Sequence, residues 1–243
     1  MPETSPASLH WKPVPLPRPV TLRGRTVTLE PLDAEHHAAA LWEQVRGHDA
    51  LWTWMPDGPC VTEEEFRRAI ERKQAASDAV FLAVVPEAAD EPGSPRTGLR
   101  PWGGGSAAGY ASFMRIEPAH GVIEVGNILL SPALQRTIAA TEAMYLMAAH
   151  VFDNLGYRRY EWKCNAENHP SRRAALRLGF TFEGIFRQHM VVKDRNRDTA
   201  WFSLLDHEWP ARKRAFEAWL APANFDAEGR QRQSLTAIAS APQ

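Results

Sequence analysis

Apolar and polar positions alternate over residues 25–30, with Val27 and Leu29 on one side, which is the period of a half-buried strand. The pattern changes at Asp33, a helix-capping residue, after which His37, Ala40, Leu41, Gln44 and Val45 form a helical stripe. Thr62 with Glu65 is a capping-box pair and opens a second helix that runs to about Ser77. Two strands follow, at 79–85 and 108–116, separated by a Pro/Gly-rich stretch containing Gly103, Gly104 and Gly105. No helix follows those glycines, so they belong to a long mobile loop and not to a phosphate loop. Residues 122–130 form another strand, ending at Ser131-Pro132, and residues 134–152 carry apolar side chains at helical spacing up to Asn154 and Gly156. A short strand at 157–163 and a short helix at 168–178, stopped by Gly179, come next. The pattern closes with a hairpin of 180–193 and 199–205 across 194–198.

The order is β-α-α-β-β-β-α-β-α-β-β, an α/β arrangement in which helices pack on the faces of a mostly antiparallel sheet. A chain of 243 residues with 44% apolar content can build a sizeable core. Residues 1–20 are rich in proline and residues 221–243 are polar and small, so both ends are expected as extensions, the second flexible, around a body at 21–220. The proline-rich start lacks a long apolar run, which argues against a signal peptide or membrane anchor and for a cytoplasmic protein. Lys and Arg total 28 against 29 Asp and Glu, a balance that gives no support to a nucleic-acid or membrane partner. Cys60 and Cys164 cannot make a disulfide framework, and the scattered histidines lack metal-ligand spacing, so no metal is expected. Association as a homodimer is compatible with all of this.

Three motifs, in order, carry a family resemblance. Residues 124–130 read EVGNILL, residues 135–141 read QRTIAAT at the opening of a helix, and Asn168-His-Pro-Ser171 is followed by Leu178-Gly179-Phe180. Together they resemble the fourth strand, the pyrophosphate turn Q/R-x-x-G-x-G/A and the N-x-x-S…L-G-F signature of GNAT acyltransferases of the RimJ/RimL type. The resemblance covers roughly residues 22–209. It implies a GNAT-like mixed sheet with helices on both faces, acetyl-CoA as co-substrate and an amine acceptor attacked directly in a ternary complex. The acceptor is a protein N-terminus or a small molecule. A larger acyl group such as succinyl, or a non-catalytic acyl-CoA-binding module, are the alternatives.

By the same resemblance the thioester carbonyl meets the N–H of Ile128, and pantetheine runs along Leu129 and Leu130. Those side chains are equally suited to a strand core. Coenzyme phosphates fall to Gln135, Arg136, Thr137, Ile138, Ala139, Ala140 and Thr141, where a helix start presents unpaired N–H groups and Arg136 adds charge. Ile138 stands where the family has glycine, a β-branched residue that resists left-handed torsions. Glu124 matches a general base of several family members and would otherwise pair with an arginine. Asn168 and Ser171 border the coenzyme, Ser171 as an acid toward its sulfur, although both are also preferred helix-capping residues. Ala175 stands where other branches carry a tyrosine acid. Trp52, Trp54 and Asp57 follow the first helix and are expected at the acceptor wall, Asp57 attracting a cationic amine. Arg172 and Arg173 suit a solvated helix face or the coenzyme's 3′-phosphate.

Overall fold

Alternation along the third strand builds a two-sided molecule: Leu82 and Val84 enter one apolar cluster, while Phe81, Ala83 and Val85 enter another on the opposite face. The computed structural model describes residues 9–87 and 106–241, so the expected loop at Gly103, Gly104 and Gly105 lies outside the described residues. The strands are β1 (Leu22–Arg23), β2 (Val27–Pro31), β3 (Ala79–Pro86), β4 (Gly109–Glu117), β5 (Val122–Leu130), β6 (Arg159–Asn165), β7 (Thr181–Val192) and β8 (Arg195–Leu205). The helices are α1 (Ala34–Val45), α2 (Glu63–Gln74), α3 (Ile138–Ala149), α4 (His169–Arg177), α5 (Trp209–Leu220) and α6 (Leu235–Ser240).

Strand order is β1-β2-β3-β4-β5-β6-β8-β7, and β5 with β6 is the parallel pair in an otherwise antiparallel sheet. Helices α1 and α2 cover one face, and α3 and α5 the other. The expected mixed, mostly antiparallel sheet between helix layers is the fold. Helix starts follow the sequence closely: Asp33 accepts from His36 N, and Thr62 from Glu65 N at 3.2 Å. The inward face of α1 is displaced from the expected stripe, with Ala38 buried and Ala40 and Gln44 only partly so.

Besides β1, α5 and α6, which the sequence pattern did not name, three regions differ from expectation. Helix α3 begins at Ile138, four residues late, because Thr137 caps it and residues 131–137 form a turn. It is buried around most of its circumference, which blurs its apolar periodicity, and a π-helical turn at His150–Asn154 ends it. The β7–β8 hairpin turns on Lys193 and Asp194 alone, both left-handed at φ 51° and 57°. This is the torsion pattern of a two-residue hairpin turn, and it lets Arg195 and Asn196 join the ladder.

The third difference is at the C-terminal end. Beyond Leu220, expected as the body's limit, Phe225 and Leu235 are 7% and 3% exposed and join the same apolar cluster as Trp209, Phe216 and Trp219. Asn224 accepts from Gln233 N and donates to Trp219 O and Gln233 O, folding the segment back. The N-terminal extension also packs: Trp11 Nε1 donates to Ala119 O and Val14 N to Pro118 O.

Candidate active site

The site begins with a strand pair that stops pairing. Parallel β5 and β6 are in register from Val122 with Arg159 to Val125 with Trp162, and no further. Beyond that point β5 pairs with β4 alone among the described residues, and within them the main chain from Gly126 to Leu130 has no strand partner on its other edge. A bulge in β5 coincides with the divergence: Tyr110 pairs with Leu129 and Ser112 with Gly126, so β5 carries one extra residue. Asn127 absorbs it at φ 49°, a conformation that asparagine tolerates better than most residues.

The gap is a cavity of about 250 Å³. Glu124 and Lys163 line it together with Val125, Trp162 and Cys164, which face opposite sides of the sheet elsewhere, as a hole between strands requires. Trp54, Ile128, Asn168 and Ser171 complete the part of its wall that the sequence named. A second cavity of about 900 Å³ lies beside α2, and both are lined by Met114, Arg115, Asn127 and Lys163.

Buried charge surrounds the junction. Glu124 Oε2 lies 3.0 Å from Lys163 Nζ and 3.1 Å from Arg115 Nε, with the Glu124 side chain only 5% exposed. Lys163 also meets Glu161 at 2.6 Å, Glu161 meets Arg159 at 2.6 Å, and Arg159 forks onto Glu183 at 2.8 and 2.6 Å. Burial pushes the Glu124 carboxyl above its ordinary range; Lys163 and then Arg115 oppose that, and Glu161 reinforces it. Deleting one partner of such a pair leaves an uncompensated buried charge, at a cost of about 3–5 kcal/mol.

Past Leu130 the chain turns into α3. Arg136 is exposed and takes the left-handed torsion, φ 65°, while Ile138 is the first helical residue with its side chain 6% exposed in the core. The β-branched residue therefore avoids the torsion it would resist, and the turn is made one residue pair earlier. Thr137 Oγ1 accepts from Ala140 N at 3.1 Å, while the amides of Ile138 and Ala139 have no intrahelical acceptor at the helix start. That end of α3 can receive an anion through its N–H groups and dipole.

The family model described as Acetyltransferase (GNAT) domain matches residues 26–181. The chain belongs to this GNAT family. It is 32% identical over 90 residues, 37% of its length and 50% of the relative's, to the ribosomal-protein-serine acetyltransferase of Escherichia coli. It spans about half the length of the curated relatives it matches. The crystal structure of a GCN5-related N-acetyltransferase from Brucella melitensis superposes with a TM-score of 0.86 at 47% identity, covering 96% of this chain and 99% of that one. A probable GNAT-family acetyltransferase from Chromobacterium violaceum gives 0.73 at 39% identity, covering 86% and 98%.

Within the GNAT fold the residues singled out from sequence divide clearly. Leu129, Ile138, Ala139, Ala140 and Thr141 have buried side chains. Gln135 Nε2 donates to Leu130 O at 3.0 Å and braces the turn. Asn168 caps α4 by accepting from Ser171 N. Ser171 Oγ accepts from Trp162 Nε1 at 3.0 Å, so its own proton is directed elsewhere, with the Cys164 sulfur one acceptor in hydrogen-bond reach. Trp52 departs from its expected place at the acceptor wall: it is 4% exposed and packs edge-on against Phe66, because Gly58 leaves room for its ring. Trp54 does reach the smaller cavity and Asp57 the larger, where Lys73 holds one carboxylate oxygen and Oδ1 is buried without a partner among the described residues.

Sequence reading missed Arg115, Lys163, Glu161 and Arg197, all of which line one cavity or the other. A signal was present in β6, where Arg159, Glu161 and Lys163 alternate with Tyr160, Trp162 and Cys164. Among the described residues no group of three or more His, Cys, Asp or Glu is placed to hold a metal ion, and no helix is long and apolar enough to cross a membrane.

Proposed function

We propose that the chain is an acetyl-CoA-dependent N-acetyltransferase whose two reactants enter from adjoining cavities and meet beside Glu124. The observation that carries this reading is the shared wall: the gap between β5 and β6 and the larger cavity beside α2 have Met114, Arg115, Asn127 and Lys163 in common. The gap suits an extended pantetheine chain because it offers unpartnered strand edge from Gly126 to Leu130. Amides at the head of α3 and the exposed Arg136 suit a pyrophosphate. Acetyl-CoA supplies an activated acyl group as its thioester.

The chain's own residues account for the rest. Glu124 takes the proton that makes the acceptor amine nucleophilic, and its raised carboxyl fits a proton acceptor better than an ordinary glutamate. The Ile128 amide, one residue past the bulge, faces the developing oxyanion, and the Ser171 hydroxyl hydrogen-bonds to the departing thiolate and passes it a proton as it takes up the one that the attacking nitrogen sheds. Asp57, with one oxygen unpaired, receives a cationic amine in the larger cavity.

The test is calorimetric titration with acetyl-CoA, then release of free thiol over a panel of amines. The Escherichia coli relative's name makes a serine-initiated ribosomal peptide one member of that panel. Binding with thiol release is expected. Binding without release across the panel would make the chain a coenzyme-binding module, and no binding would defeat the reading.

A further inference from the structure

We propose that Lys163 is a positioning residue whose ammonium, clamped between Glu124 and Glu161, holds Glu124 as an anion at the mouth of the gap between β5 and β6. The inference deepens the reading of Glu124 as the base and rests on it.

Geometry leaves the ammonium little choice of position. Nζ is 3.0 Å from Glu124 Oε2 and 2.6 Å from Glu161 Oε2, and the side chain is 5% exposed. Trp201 closes another side with its ring centroid 3.9 Å away, a contact that favours a cation. Glu161 is itself held by Arg159, and Arg159 by both oxygens of Glu183, so the clamp is tied to β7 as well as β6. A buried carboxylate with no cation beside it would take up a proton and lose its use as a base.

The charges around Glu124 can be named from each packed strand. Arg115 reaches it from β4, Lys163 and Glu161 from β6, and Arg197 from β8, while His189 on β7 stands near Arg115 and Lys163. Arg115 is more exposed than Lys163, 39% against 5%, so solvent screens its attraction more strongly. Glu161 acts in two ways: it fixes Lys163, and its own charge opposes ionisation of Glu124. The two neighbours therefore push Glu124 in opposite directions.

That opposition supplies the experiment. The full chain and its Lys163→Met, Lys163→Arg and Glu161→Gln variants are compared by ¹³C NMR titration of the Glu124 carboxyl and by kcat/KM against pH with one amine. Acetyl-CoA affinity is measured alongside. Lys163→Met should move the carboxyl titration and the acidic limb of kcat/KM upward together by about one pH unit or more. Lys163→Arg should hold both near the parent values, and Glu161→Gln, whose amide oxygen can still accept from Lys163, should move both downward. Glu124 titrating alike with and without the ammonium would overturn the proposal. A lowered melting temperature with an unmoved titration would also sink it, since that is the signature of a scaffold role. If Lys163→Met fails to fold, Lys163→Gln, which also removes the ammonium but can still hydrogen-bond both carboxyls, is titrated in its place with the same upward shift expected. Absence of thiol release from the parent chain would remove Glu124 as base, whereas the NMR titration would still judge the clamp, so the two failures are distinguishable.

Discussion

Charge and torsion at single residues decide what this site can do. Glu124 is a buried carboxyl pushed upward by desolvation and held down by two cations, so its acidic limb is expected above the ordinary carboxylate range. Glu124→Gln should leave coenzyme affinity nearly intact and lower turnover by about 10²–10⁴-fold. The deficit should narrow as pH rises, because more acceptor then arrives already neutral and the missing base matters less. Profiles of kcat/KM against pH for parent and variant check both statements, and near-parental turnover at neutral pH would contradict them. Arg136 and Arg172 offer a second comparison. Arg136 is exposed at the left-handed turn before α3, whereas Arg172 donates to Ala166 O at 3.1 Å and lies over the Phe182 ring. Arg136→Glu should therefore weaken coenzyme binding more than Arg172→Glu, and equal dissociation constants by calorimetry would refute that order.

At the scale of elements, the site depends on where regular structure ends. Beyond Val125 and Trp162 the parallel pair opens, and beyond Leu130 the chain passes through a capped turn into α3. Helix α4 begins at the same gap, with Asn168 Oδ1 accepting from Ser171 N at 3.1 Å and so fixing where Ser171 stands. Asn168→Ala should cost about 1 kcal/mol, the usual worth of such a cap, read as a lower denaturant midpoint with unchanged slope. Because the cap also orients Ser171, turnover should fall by more than the lost folded fraction explains. An unchanged midpoint would show that the first turn is held by Trp162 and the core instead. Sequence located these elements to within a few residues because Asp33, Thr62 and Asn168 mark helix starts by local hydrogen bonding. It placed the α3 start too early because an almost wholly buried helix has no polar face to mark its limits.

For the whole molecule, the C-terminal segment belongs to the packed body. Leu235→Ala removes a side chain that is 3% exposed and should cost about 2–5 kcal/mol by denaturant unfolding, with coenzyme affinity of the folded protein preserved. A loss of only a few tenths would mean that α6 does not hold α5 in place. Sequence pattern was enough for the order of elements from β2 to β8, the two-faced sheet and the candidacy of Glu124, Ile128, Asn168 and Ser171, since alternation, capping and short motifs are local properties; β1, α5 and α6 were not read from it. Leu235 was illegible because the nine residues before it, 226–234, are all polar or small, and Trp219 and Phe225 of the same apolar cluster lie upstream across a reversal of the chain. Tertiary structure alone decided that Trp52 is core while Trp54 faces the gap, although only Thr53 separates them, because the chain leaves a 3₁₀ turn at Asp49–Trp52 between the two. It alone decided that Arg115, Glu124, Lys163 and Glu161 form one cluster. Those four residues sit on three strands, and a charge 39 positions away along the chain reaches 3.0 Å only because β5 and β6 run parallel through α3, pair for four residues and then part.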